Sequence, residues 1–142
     1  MQRMTGNGYM RKIDFVFYHE NEIRAAVLDA REGANVQSGR GGGQIGDPTA
    51  SRALKNMTPL LSVRVRGDKL DWPEHWLKVV DATYAWCDGD RLIVAHDRYH
   101  NVSYADTCAK LNITKSGYYR IVKEVRHYAE LCAVQLGLIK VC

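Results

Sequence analysis

The stretch from Ser103 to Val125 reads SYADTCAKLNITKSGYYRIVKEV, and its spacing determines how the rest of the chain is interpreted. Ser103 followed three positions later by Asp106 is close to a capping box, which predicts that a helix begins there. Asn112 can adopt the left-handed conformation that ends a helix, and Thr114 can cap the helix that follows. The segment 103–125 therefore predicts two consecutive helices joined by a short turn, a helix-turn-helix.

Both helices of this pair show an apolar side in the sequence. In the first, Thr107, Cys108 and Leu111 are expected to face inward. In the second, residues spaced four, three, four and three apart lie on one side of a helix and favour packing. These residues are Tyr118, Val122, Val125, Ala129 and Cys132.

The opposite side of the second helix is polar and basic near its start, with Lys115, Ser116, Tyr119, Arg120 and Lys123. In a helix-turn-helix this side enters the major groove of double-stranded DNA and meets base edges and phosphates. We expect Lys115, Ser116 and Arg120 to contact bases, and Tyr119 to contact a base or a phosphate. Phosphate neutralisation is expected of Lys110, Lys123 and Arg126. The alternative, a merely solvated polar face, stays open at this point.

The charge distribution favours the nucleic-acid interpretation. Of the 142 residues, those up to Asp97 contain thirteen Lys and Arg against thirteen Asp and Glu. The formal net charge of +4 therefore belongs to the last third of the chain, which contains the predicted motif. A local excess of Lys and Arg is what non-specific affinity for the phosphate backbone requires.

The remainder of the chain predicts a mainly α fold, a helical bundle with the helix-turn-helix near its C-terminus. A first helix is expected from Tyr9 to Ala30, ending at Gly33 and followed by a Gly-rich loop, NVQSGRGGGQIG. No Gly-Lys-Ser/Thr follows these glycines, so a phosphate-binding P-loop is not expected. We therefore divide the chain into an N-terminal helix and Gly-rich loop at 1–46, and a helical DNA-binding domain at 47–142.

Within the second part, DPTASRALKN at 47–56 favours a short helix, and 60–66 favours a brief strand or an irregular crossing. A helix is predicted from Asp71 and Pro73, ended by Gly89, and a further helix from Arg91 to His100, capped by Asp90. The first of these helices should bury Trp76, Val79, Val80, Thr83 and Cys87, with Trp72 and Trp86 in or beside the core. The second should bury Leu92, Ile93 and Tyr99.

The last helix is predicted to continue past Arg126 to a cap at Gly137. Its final turns, HYAELCAVQL, are apolar around much of their circumference and need a covering partner. Either the N-terminal helix covers them or a second subunit does, and the latter would make a homodimer through the C-terminal helix.

Other classes of protein are not favoured. No apolar run reaches about 18 residues, so no membrane association is expected, and MQRMTGNGYMRK lacks the apolar core of a signal peptide, which predicts a cytoplasmic protein. The four cysteines are interpreted as buried thiols. His96 and His100 could join Cys87 or Cys108 at a zinc ion only against the usual ligand spacing. Capping explains the Asp residues, so neither enzymatic activity nor a cofactor is predicted.

The segment SYADTCAKLNITKSGYYRIVKEV resembles the helix-turn-helix in the fourth region of bacterial sigma factors. With GGGQIGDPTA upstream, the chain is similar to phage late-transcription activators of the RinA and ArpU type over roughly Gly39 to Gly137. Gly117 and the Trp-rich PEHWLKVVDATYAW depart from that pattern. The resemblance implies a prophage-encoded regulator that binds a promoter region and activates late genes, with RNA polymerase as a further candidate partner.

Two further functions stay open beside this sequence-specific transcription regulator. A DNA recognition subunit like the phage small terminase would use the same motif for packaging and would assemble into a ring. A protein-binding adaptor would use the two helices for structure alone.

Overall fold

The computed structural model of the chain describes residues 6–39 and 58–140, and within them the side chains of 10–32 and 58–140. These residues are mainly helical, with a small two-stranded sheet. In chain order the elements are α1 (Gly6–Tyr18), α2 (Glu20–Gly39), β1 (Ser62–Val65), β2 (Asp68–Asp71), α3 (Pro73–Trp86), α4 (Gly89–Tyr99), α5 (Tyr104–Leu111) and α6 (Lys115–Gln135).

The chain divides into two compact units. One contains α1 together with everything from His75 onward, and the other runs from His19 to Glu74. The predicted boundary between residues 46 and 47 lies outside the described residues. The sequence predicted a single N-terminal helix in one domain. In the structure this region forms two helices, and α1 and α2 belong to different units.

The unit that contains α1 is a helical bundle. Its α6 packs against α1, α4 and α5. Side chains with almost no exposed surface fill the interior: Ile13, Val16 and Phe17 from α1, Val79, Val80 and Thr83 from α3, Val94 from α4, and Tyr118, Val125 and Ala129 from α6. Burial of these apolar groups is the main stabilising term for the bundle, at about 25 cal/mol per Å² of apolar surface.

The other unit pairs α2 with a β-hairpin. Strands β1 and β2 are antiparallel, with Val63 opposite Leu70 and Val65 opposite Asp68. The two-residue loop consists of Arg66 and Gly67, whose φ angles are 52° and 83°. Positive φ at both positions is the conformation that matches the twist of a tight hairpin.

Ion pairs inside this second unit hold the hairpin and the chain beside it. The Arg66 guanidinium donates to both carboxylate oxygens of Glu22 at 2.8–3.0 Å. The Arg31 guanidinium donates to Glu74 at 2.6 Å, and the same carboxylate accepts from the Leu60 backbone N–H at 3.1 Å. The hydrogen bonds between Arg66 and Glu22 lower the pKa of Glu22 and raise that of Arg66.

The structure corrects the prediction of a first helix from Tyr9 to Ala30. The helix is interrupted at His19, and α2 continues through Gly33 to Gly39. Acidic residues in the first turn of α2, Glu20 and Glu22, favour a new helix start there. A single glycine costs a helix only about 1 kcal/mol, which is too little to stop one that is otherwise favoured.

Three details around α3 and α4 were also predicted wrongly. Gly89 does not end α3, which stops at Trp86, but lies in the first turn of α4. Asp88 precedes α4 as its N-cap, without a side-chain cap hydrogen bond, and Asp90 lies inside the first turn. Leu92 is 40% exposed and Ile93 is half-buried, so Tyr99 is the one predicted core residue of α4 that is confirmed, and α4 also buries Val94, Ala95 and Asp97.

Other predictions for this region are confirmed. Helix α3 begins at Pro73, and all five of its predicted core positions are buried. The strand predicted within 60–66 is β1, although its partner β2 was not foreseen. Trp76 is buried, and Trp72 and Trp86 are partly exposed, at 42% and 36%. The helix predicted at 47–56 and most of the Gly-rich loop lie outside the described residues.

Among the described residues, no helix combines the length and apolarity needed to cross a membrane.

Candidate nucleic-acid interface

The start of α5 and the turn that follows it have the predicted caps. The Asp106 backbone N–H donates to Ser103 Oγ at 3.2 Å. Asn112 has φ 56° and ψ 47°, the left-handed conformation that ends α5. The Gly117 N–H donates to Thr114 Oγ1 at 3.0 Å, which caps α6. The local predictions of two helix starts and a short turn between them are therefore confirmed, and a role in DNA binding stays a prediction.

A buried carboxylate connects α5 to α4. Thr107 Oγ1 donates to Asp97 Oδ2 at 2.9 Å, and Lys110 Nζ donates to the same oxygen at 2.7 Å. Burial alone would raise the pKa of Asp97, but the hydrogen bonds from Lys110 and Thr107 outweigh it, and the pKa is lowered. Asp97 thus stays ionised and fixes the inward side of α5.

The inward side of α6 follows the predicted spacing. Tyr118, Val122, Val125 and Ala129 are buried. The predicted series ended at Cys132, but this residue is half-buried and its neighbour Ala133 is the buried one. Tyr118 and Val122 pack against Val94 of α4, with the half-buried Leu111 and Ile113 beside them. These contacts set which side of α6 faces outward.

The outward side of α6 brings five predicted site residues together over its first three turns. Lys115, Ser116, Arg120 and Lys123 are exposed, and Tyr119 is 44% exposed. Within the described residues, neither Arg120 nor Lys123 forms an ion pair. The first turn of α6 contains no acidic residue. The surface therefore presents cations and polar side chains that form no ion pair in the described part of the chain, and we name these five residues the α6 outer face.

Two other predicted site residues are engaged inside the bundle. Lys110 pairs with Asp97, although about half of its side chain is exposed. The Arg126 guanidinium donates to Asp14 of α1 at 2.7 and 3.1 Å, and its side chain is 27% exposed. Asp14 also accepts from the Tyr99 hydroxyl at 2.8 Å. The structure does not group Arg126 with the α6 outer face.

Tyr104 was missed by the sequence reasoning and lies beside this face. It occupies the first position of α5 and is 42% exposed. Lys115 Nζ lies 5.2 Å from the centre of its ring, and the Tyr119 ring centre lies 6.1 Å away. The sequence feature that could have indicated this role is the position of Tyr104 directly after the cap residue Ser103. In a helix-turn-helix the start of α5 can lie close to the start of α6.

Gly117 serves the geometry of the turn. A Cβ built at this position would lie 3.3 Å from Thr114 Oγ1 and 4.0 Å from Ile113 Cβ. That distance to a capping oxygen is tighter than ordinary van der Waals contact. The glycine therefore leaves room for the cap of its own helix.

The end of α6 has the cap predicted at Gly137, whose φ is 75°. The Leu138 N–H donates to the Ala133 carbonyl and the Gly137 N–H to the Val134 carbonyl, which is the Schellman pattern. The N-terminal helix, one of the two predicted partners for this helix, packs against α6 as α1, and a second subunit stays a prediction. Leu131 remains 49% exposed.

The residues considered as zinc ligands in the sequence form other contacts in the structure. His96 and His100 stack with ring centres 4.0 Å apart, and His100 Nδ1 lies 2.7 Å from the His96 carbonyl oxygen. In the described part of the chain, no three His, Cys, Asp or Glu side chains are grouped to hold a metal ion. Cys87, Cys108 and Cys132 are free thiols.

Comparison with known proteins returned no relative: no family model matches the chain, and no curated protein or solved structure matches it. The resemblance to RinA- and ArpU-type activators stays a prediction.

Proposed function

We propose that α5 and α6 form a helix-turn-helix that binds double-stranded DNA sequence-specifically, with α6 as the recognition helix. The observation that carries this proposal is the α6 outer face. It lies at the start of a capped helix whose other side is fixed in the bundle core, so its orientation is set before DNA arrives. A recognition helix needs that combination, because base readout depends on side chains held in register.

Within this proposal the exposed residues have different tasks. Arg120 is suited to bidentate contacts with guanine, and Lys115 and Ser116 lie at the helix start, where side chains reach base edges. Tyr119 contacts a base or a phosphate, and Lys123 neutralises a phosphate. Lys110 and Arg126 could donate to phosphates only by sharing or leaving their carboxylate partners, so we assign them a smaller share than the sequence suggested.

The wider role we propose is that of a transcription regulator, in line with the resemblance to phage late-gene activators. RNA polymerase and a second subunit are the further partners proposed on that basis. The exposed Leu131 on α6 supports a homodimer contact. The terminase-like alternative requires a ring, and the mass of the native protein in solution distinguishes a ring from a monomer or dimer.

The test is affinity for duplex DNA, measured by fluorescence anisotropy across a salt series. Arg120→Ala should weaken binding to a preferred site by about 1–3 kcal/mol, because a base contact is lost. Lys123→Ala should weaken binding to all sequences similarly and reduce the salt slope by about one, because one phosphate contact is lost.

Lys78→Ala provides the matched control. Lys78 is an exposed lysine of α3, outside the α5–α6 pair, and forms no ion pair within the described residues. Its removal changes the net charge by the same amount as Lys123→Ala. Equal losses for Lys78→Ala and Lys123→Ala would show that only net charge matters, and would contradict the assignment of the α6 outer face.

A further inference from the structure

We propose that Tyr104 is a DNA-binding residue that also positions Lys115, so that the DNA contact extends from α6 onto the start of α5. This inference rests on the proposed function, because it names a further contact of the same surface. The supporting observation is that Tyr104 lies beside Lys115 and Tyr119 in the structure. The sequence of α6 alone does not predict this contact, because Tyr104 belongs to α5.

Lys115 lies over the ring of Tyr104. Its ammonium lies 5.2 Å from the Tyr104 ring centre, within the distance at which a cation is attracted by an aromatic face. A lysine at the first position of a helix is repelled by the positive end of the helix dipole. The Tyr104 ring supplies an attractive contact that holds this side chain in place. A lysine so held loses less side-chain entropy when it binds a phosphate.

The Tyr104 ring lies between the bundle core and the exposed surface. Tyr104 is also close to Tyr118, whose buried ring centre lies 6.2 Å away, so one edge of Tyr104 rests on the core. The remainder of the ring is exposed next to Tyr119. Two partly exposed tyrosine rings beside a lysine combine an apolar surface with hydroxyl donors and a cation.

The charge of this surface indicates which kind of molecule binds to it. The charged members of the α6 outer face, Lys115, Arg120 and Lys123, are all cations, and no acidic residue lies in the first turn of α6. A polyanion is therefore the complementary partner. A duplex backbone offers phosphates for Lys115 and the tyrosine hydroxyls, and deoxyribose for the ring surfaces. We assign this cluster to the sugar-phosphate backbone next to the bases that α6 contacts.

A double-mutant cycle on a duplex that the wild-type protein binds tests the inference. Tyr104→Leu should weaken binding about threefold to tenfold, and Lys115→Ala should do the same. Because Tyr104 acts partly through Lys115, the fold-losses of affinity from the two substitutions should not multiply. The double variant should bind at least about threefold more tightly than the product of the two single fold-losses would give. Tyr104→Phe keeps the ring and should keep the coupling to Lys115.

Two measurements distinguish DNA contact by Tyr104 and Lys115 from a purely structural role of these residues. The Tyr104 and Lys115 variants should keep the helical content and the thermal unfolding of the wild type, both followed by circular dichroism. Their loss of DNA affinity should appear as a smaller salt slope of binding. If the two fold-losses multiply, or if Tyr104→Leu binds DNA as tightly as the wild type, the inference is overturned. The Arg120→Ala variant tests the proposed function separately. If neither the wild-type protein nor any variant binds duplex DNA, both proposals fall together.

Discussion

Asp97 in α4 accepts hydrogen bonds from two side chains of α5, Thr107 and Lys110. A buried carboxylate is costly unless it is paired and hydrogen-bonded, so this residue ties the orientation of α5 to that of α4. The sequence analysis gave Asp97 no role of its own and assigned Lys110 to phosphate neutralisation. Their pairing joins residues thirteen positions apart across a turn, and only the packed bundle reveals it.

The pH dependence of folding provides a test of this pair. Because the folded pKa of Asp97 is lowered, its stabilising contribution is complete above the ordinary aspartate pKa of about 4 and is lost as the pH falls through the folded pKa. Asp97→Asn should destabilise the protein by about 1–3 kcal/mol at pH 7 and should show a smaller further loss at low pH. Urea unfolding of both proteins between pH 3 and 7 measures this. Parallel stability curves would contradict the pairing.

At the scale of the elements, the α5–α6 pair was largely predictable because its signals are local. Ser103, Asn112 and Thr114 act on backbone groups within three or four residues, and their chemistry can be read from the sequence. The cap of α4 was not predictable in the same way, since two aspartates flank Gly89 and either satisfies the pattern. The Arg66-Gly67 turn was missed because arginine is not a residue type that signals positive φ.

The cap of α6 leads to a prediction at this scale. Thr114→Ala removes the oxygen that accepts from the Gly117 N–H and should destabilise the protein by about 1 kcal/mol, whereas Thr114→Ser keeps that oxygen and should cost much less. Thermal or urea unfolding of the two variants gives the comparison. Equal destabilisation by both substitutions would show that the Thr114 methyl group, and not the cap, is responsible.

At the scale of the whole molecule, the N-terminal helix α1 is part of the bundle that presents the α6 outer face. Asp14 of α1 accepts from both Tyr99 of α4 and Arg126 of α6. The sequence left open whether α1 or a second subunit covers α6, because the charge and apolar patterns fit both. The packing of α1 on α6 depends on contacts such as that between Asp14 and Arg126, more than a hundred positions apart, which local patterns do not encode.

This arrangement predicts that Asp14 and Arg126 are coupled. Asp14→Ala and Arg126→Ala should each destabilise the protein by about 1–3 kcal/mol, since each leaves a partly buried charge without its partner. The double variant should be less destabilised than the sum of the two. Urea unfolding gives all three values. Additive losses would contradict a direct ion pair between α1 and α6.

The central claim is that the α6 outer face reads a DNA sequence, and selection from random duplexes by the native protein tests it most directly. The selected pool should contain a defined site that the wild type and Lys78→Ala prefer over a scrambled duplex, and Arg120→Ala should lose most of that preference. An unenriched pool at low salt, or an Arg120→Ala variant with undiminished preference for the selected site, would contradict the claim.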